Sequence, residues 1–165
     1  MAETWAYDAA AFTEKYDKYA DMVFRICLMQ LGDVCDAEDA MQNAFLKFCY
    51  KAPVFAAEQE EKAWLVRVTI NTCRDFQRLF WRRNVIRMED MSLLGGTIGA
   101  EQQATLLELY TLPPKYRTVL QLFYYEGYSV REIAEILHIK EKSVTAQLTR
   151  ARQKLKMEME ATQHE

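Results

Sequence analysis

The chain has 165 residues, half of them hydrophobic, with only five glycines and three prolines. That composition excludes a disordered chain, supplies a core and favours helices over a turn-rich β fold. The net charge of −3 argues against a uniformly basic nucleic-acid binder, but the average hides two basic tracts. One holds Lys62, Arg67, Arg74, Asp75, Arg78, Arg82, Arg83 and Arg87, the other Lys140, Glu141, Lys142, Arg150, Arg152, Lys154 and Lys156. Two basic surfaces on an acidic chain suggest two contacts with a polyanion; solvated helix faces are the plainer alternative.

Phe12, Tyr16, Val23, Ile26 and Met29 recur at helical spacing. They predict two helices, Asp8–Tyr19 and Ala20–Leu31, or one bent helix, stopped by Gly32. Asp36 is read as the N-cap of the next helix, which ends near Tyr50 before Pro53. On that helix Gln42, Asn43 and Leu46 share a face opposite Ala37, Ala40, Ala44 and Phe48. An apolar Leu46 among exposed polar residues suits a partner surface.

A pattern free of Gly and Pro then runs from Glu58 to about Arg82. At about 100° per residue, Arg67, Asn71, Arg74 and Arg78 fall in a stripe about 60° wide. Leu65, Val68, Thr72, Phe76 and Leu79 are placed on the opposite, inward side, and Trp64, Phe80 and Trp81 flank the stripe. Cations that track a backbone beside aromatics that stack on bases suit single-stranded or distorted DNA; an aromatic core under a solvated face is the alternative.

The segment MEDMSLLGGTIGAEQQ shows no sustained period and is read as a flexible linker. Its glycines do not make a phosphate loop, since no strand precedes them and no Gly-Lys-Ser/Thr follows. Helical signals resume at Ala104. Pro113 and Pro114 open a helix through about Tyr125, ended by Gly127. Ser129 and Glu132 fit a capping box, flanked by Tyr128 and Ile133 as a hydrophobic staple. Val130, Ile133, Ala134 and Leu137 face inward, and His138 to Lys140 makes a turn anchored by Ile139. Val144, Leu148, Ala151 and Leu155 bury a second helix whose other faces carry Lys142, Ser143, Thr145, Gln147, Thr149, Arg150 and Arg152. This reads as a helix-turn-helix whose second helix enters the major groove, against the alternative of a plain helical hairpin.

The cysteines Cys27, Cys35, Cys49 and Cys73 form no CxxC pair, and His138 and His164 are the only histidines. A zinc site is not expected; buried, reduced thiols in a cytosolic protein are. No secretory leader or membrane-spanning stretch is read from the sequence, so no membrane insertion is expected.

Three segments in order carry a family resemblance. DAEDAMQNAFLKFCY resembles the polymerase-binding helix in region 2 of extracytoplasmic-function sigma factors. AWLVRVTINTCRDFQR resembles their promoter-melting helix. LPPKYRTVLQLFYYEGYSVREIAEILHIKEKSVTAQLTRARQKL resembles region 4. The resemblance implies an all-α fold of two small helical domains joined by a linker, with region 2 at 1–85, the linker at 86–103 and region 4 at 104–160. It implies core RNA polymerase and promoter DNA as partners, with an anti-sigma factor as a further one, no cofactor and no catalysis by this chain.

By the same resemblance Asp39, Gln42 and Asn43, with Leu46 on their face, dock on polymerase. Arg67 and Asn71 contact the non-template strand of the −10 element, on the surface that also carries Trp64, Arg74 and Arg78. The helix near Glu141, with Lys142, Ser143, Thr145, Gln147, Arg150 and Arg152, reads the −35 element. Asn43 stands where the family usually has an acid, Lys140 where a capping Ser is frequent, and Gln147 where a basic residue is frequent. Gln pairs with adenine where Arg favours guanine. A stand-alone helix-turn-helix regulator, a polymerase-docking antagonist and a cysteine-dependent enzyme are the alternatives.

Overall fold

A computed structural model describes residues 7–79 and 108–163. All regular elements among them are helical. They fall into two units divided between Val85 and Ile86, and each is described by itself. The expected linker, with Phe80, Trp81, Arg82, Arg83, Arg87 and the helix start at Ala104, lies outside the described residues.

In the first unit α1 (Ala9–Leu31) is one continuous helix, not two. No Gly or Pro interrupts it, and Tyr19 at the expected break is buried. Asp8 caps its start, accepting from the Ala11 amide at 2.7 Å. Gly32 ends it in the left-handed region at φ 71°, its N–H donating to the Leu28 carbonyl; a Cβ there would be strained.

The cap of α2 (Val34–Lys51) is Asp33 rather than Asp36. The chain leaves Gly32 already aimed into the new helix, so the carboxylate directly after the turn takes the role and accepts from the Asp36 amide at 2.9 Å. Asp36 becomes a first-turn acid, where the helix dipole favours it. Ala37, Ala40, Ala44 and Phe48 of α2 are fully buried.

The third helix, α3 (Glu58–Leu79), buries Leu65, Val66, Thr69, Ile70, Thr72 and Cys73. The predicted inward face is rotated from the real one. Residues 65, 72 and 79 are spaced by sevens, and such a series drifts about 20° per step on a straight helix. Leu79 ends 76% exposed, and Val66 and Ile70 carry burial that the pattern assigned elsewhere.

One polar cluster ties α1 to α3. Glu61 is 5% exposed. Its carboxylate accepts from Lys15 Nζ at 2.8 Å, Tyr19 Oη at 2.9 Å and Tyr7 Oη at 3.0 Å. Burial alone pushes this carboxyl up, but the three donors and the Lys15 charge outweigh it and hold the group below its ordinary value. Burial and the same carboxylate push the Tyr7 phenol up to about 12. A further ion pair, Lys18 with Glu58, lies one turn away and in water.

In the second unit Leu109, Tyr110 and Leu112 are buried ahead of α4 (Pro114–Leu120). The chain then winds as a π-helical turn over Gln121–Tyr125, where a regular helix was expected. The wider turn lets the adjacent Gln121 and Leu122 both face inward while Tyr124 stays outside. Gly127 closes it at φ 73°.

The capping box forms as read. Ser129 Oγ accepts from the Glu132 amide at 3.2 Å, and the Ser129 amide donates to Glu132 Oε1 at 3.1 Å. It opens α5 (Val130–Leu137), which buries Ile133, Ala134 and Ile136. His138 holds the left-handed conformation at φ 54° and turns the chain into α6 (Glu141–Gln163). Val144, Leu148 and Ala151 seat α6.

Replacing Glu61 with Gln is expected to cost about 2 kcal/mol at pH 7, by leaving buried donors poorly matched; urea unfolding of the full chain measures it. The folded carboxyl is depressed, so the unfolded chain takes up the proton first. The carboxylate's contribution is therefore full above the ordinary value of 4.5 and drains away as pH falls through it. The gap between wild type and variant should narrow below that pH.

Candidate nucleic-acid and partner interfaces

The side of α3 turned away from α1 and α2 carries Arg67 and Arg74, half-exposed, and Asn71 and Arg78, exposed. Among the described residues nothing forms a hydrogen bond or ion pair with Arg67, Asn71 or Arg74. Arg78 lies 3.8 Å from Asp75 in a pair that is mostly in water and therefore weak. Lys47 of α2 donates to Thr72 Oγ1 at 3.0 Å and stands 4.0 Å from Asp75, closing one edge of the face. On about 100° per residue, the buried stripe centred on Leu65, Thr69 and Cys73 lies nearly opposite the cationic one.

Trp64 is half-buried. Its ring sits 6.1 Å from Phe48 and 5.9 Å from Phe55, so its own unit already holds the indole. Phe55 belongs to the connection between α2 and α3, where Val54 is wholly exposed. Pattern reading passed over this connection because it has no period; an apolar pair after Pro53 was the available signal.

On α2 Asp39, Gln42 and Asn43 are exposed, and Leu46 is 46% exposed. Beside them runs a groove of about 790 Å³ whose walls include Phe12, Tyr16 and Phe24 of α1 with Phe45 and Leu46 of α2. Tyr16 belongs to the apolar series that predicts α1. It is 38% exposed and leans on Phe45 at 4.7 Å. Helical spacing could not tell this groove wall from core, because both are apolar at the same period.

On α6 Lys142, Thr145, Thr149, Arg150 and Arg152 are exposed, whereas Ser143 and Gln147 are half-buried. Arg152 is already engaged: its Nε donates to Tyr124 Oη at 2.7 Å, and its guanidinium lies 5.5 Å from the rings of both Phe123 and Tyr124. It fastens α6 to the π-helical turn.

The cysteines are all free; Cys27, Cys49 and Cys73 are buried, and Cys35 is exposed, contrary to the expectation of four buried thiols. A hydrogen bond with Cys27, followed by burial, pushes the Cys73 thiol well up, and burial pushes Cys49 up. Such thiols are poor nucleophiles. No helix among the described residues is long and apolar enough to cross a membrane.

Two families match the chain in succession: Sigma-70 region 2 over residues 16–84 and Sigma-70, region 4 over residues 102–155. The chain is 29% identical to the ECF RNA polymerase sigma factor SigW of Bacillus subtilis, over 92% of this chain and 90% of that one. It is 30% identical to SigL of Mycobacterium tuberculosis, over 94% and 92%. Among solved structures it is similar in fold to the sigma factor RpoE of Bartonella quintana, in complex with the anti-sigma factor NepR. That match has a TM-score of 0.66 at 16% identity, over 90% of this chain and 96% of that one. It is also similar to CnrH in complex with the cytosolic domain of CnrY, with a TM-score of 0.65 at 22% identity, over 93% and 90%.

The contacts of Arg152 separate it from its neighbour. Arg152→Ala should lower the stability of the full chain by about 1 kcal/mol, the worth of one hydrogen bond and an exposed ring contact. Arg150→Ala should leave stability within about 0.5 kcal/mol. Thermal unfolding of the two variants side by side checks both.

Proposed function

The chain belongs to the extracytoplasmic-function group of the sigma-70 family, and we propose that it divides promoter recognition between its two helical units. It directs core RNA polymerase to specific promoters for transcription initiation. Region 2 is assigned to residues 1–85, a connecting segment to 86–103 and region 4 to 104–160.

The observation that carries this division is the outward row of Arg67, Asn71 and Arg74, unpaired among the described residues. In this reading the guanidinium groups follow the phosphates of the unpaired −10 strand while Asn71 meets an extruded base. Arg78 extends the row, and Trp64, braced by Phe48 and Phe55, offers a fixed aromatic edge instead of a free stacking platform. Opening a duplex costs about 1.4 kcal/mol per step. Capture of one or two bases at ~1–3 kcal/mol each offsets a few pairs, so polymerase must hold the rest of the bubble.

Asp39, Gln42, Asn43 and Leu46 form the docking surface for core polymerase, with the α1–α2 groove beside them. Lys142, Thr145 and Arg150 face the −35 duplex, the half-buried Ser143 and Gln147 lie at the edges of that surface, and Arg152 mainly holds their helix in place. An anti-sigma factor is a natural further partner, as RpoE and CnrH are each paired with NepR and CnrY. The chain works inside the cell beside polymerase and performs no bond chemistry of its own.

Arg67→Ala and Asn71→Ala should each reduce permanganate reactivity of the promoter bubble about tenfold, with core binding changed less than about twofold. Undiminished reactivity in both variants would remove α3 from strand capture. Leu46→Glu should weaken binding to core polymerase about tenfold or more with unchanged thermal unfolding, since the side chain is half in water. Fluorescence anisotropy of labelled protein against core measures it.

A further inference from the structure

We propose that Thr145 and Thr149, with Ala146 beside them, make α6 a reader of thymine methyl groups. The proposal rests on the reading that α6 enters the upstream duplex and specifies what it recognises there. Both threonines are exposed, yet neither hydroxyl hydrogen is free. Thr145 Oγ1 donates to the Glu141 carbonyl at 3.1 Å, and Thr149 Oγ1 donates to the Thr145 carbonyl at 2.9 Å. Each hydroxyl has one hydrogen, and here the helix's own backbone takes it, as serines and threonines in helices often allow.

What remains for a partner is a γ-methyl from each threonine and the β-methyl of the half-buried Ala146. At about 100° per residue these three positions span a strip about 100° wide, opposite the buried Val144, Leu148 and Ala151. Lys142 lies within the strip and Arg150 at its margin, placed to meet the phosphates on either side. Gln147 is half-buried and falls about 70° from the centre of the seated face, so it is turned away from this strip. In the major groove only thymine presents a methyl, and apolar side chains are its natural contact. An α6 reading of this kind selects A·T pairs by shape and burial of methyls, where a Gln or Arg would select by paired hydrogen bonds.

The test uses core polymerase loaded with the full chain and a promoter recovered by selection from randomised duplexes. Each upstream thymine is replaced in turn by deoxyuridine, which removes only the methyl. Affinity should fall about fourfold at each contacted position. Thr145→Val and Thr149→Val keep the methyl and should keep both the affinity and the deoxyuridine effect. Thr145→Ser should lose about the same fourfold and abolish the effect at one position. The proposal is overturned if deoxyuridine is harmless at every upstream position, if the valine variants lose as much as the serine variant, or if the selected upstream element has no A·T pairs. If a scrambled upstream element binds as well as the selected one, the reading of α6 as an upstream reader fails first, and this proposal with it.

Discussion

A single rotation angle of α3 governs the first unit. Leu65, Val66, Thr69, Ile70 and Cys73 must be buried against α1 and α2, and helical geometry then leaves the guanidinium groups of Arg67 and Arg74 no inward position. The Glu61 cluster fixes that rotation from one end. A buried carboxylate is tolerable only with its donors in place, and those donors come from α1 and the short stretch ahead of it, at positions 7, 15 and 19. Turning α3 by a third of a turn would bury cations, expose isoleucine and strip Glu61 of its partners together. The cationic face is thus held by the same contacts that make the core.

The second unit solves the corresponding problem with shorter elements. An eight-residue α5 is too short to be stable by propensity, so local chemistry defines it: the Ser129–Glu132 box at one end and the left-handed His138 at the other. A non-glycine residue in that conformation is mildly costly, and its effect is to bring α6 away from α5 within three residues. The aromatic pair on the π-helical turn then takes hold of Arg152. The orientation of α6 is therefore set at its start by the turn and in its middle by this contact, with Lys142, Thr145 and Thr149 exposed between them.

Most of this architecture was legible because it is written in local rules. Gly32, the Ser129–Glu132 box and the alanine side of α2 each follow from the chemistry of a few neighbouring residues. Where the reading failed, the deciding contact was distant or the signal degenerate. Leu79 and Tyr16 have the spacing of core residues, yet Leu79 is 76% exposed and Tyr16, though it leans on Phe45, is 38% exposed. Asp33 and Asp36 are both good caps, and only the path out of Gly32 chooses between them. Glu61 gave no signal at all: a glutamate in the first turn of a helix looks like a dipole partner until Tyr7, Lys15 and Tyr19 are seen to converge on it. Likewise Arg152 looks like any other surface cation until the π-helical turn brings Tyr124 to it.

The acidic balance of the chain follows from using two modest DNA contacts in place of one strong one. A uniformly basic protein would bind any duplex through counterion release and would spend its time away from polymerase. Here the outward cationic rows are on α3 and α6, while Lys15 and Lys18 of α1 are paired with Glu61 and Glu58, and acidic residues such as Asp39 are exposed on α2. The attraction of either basic face to phosphate weakens as salt rises. Joined in one chain and held on polymerase, they act on the same promoter at high effective concentration, and the second contact costs far less than the first. Specificity then draws on both elements at once, so that two modest contacts can select a site together.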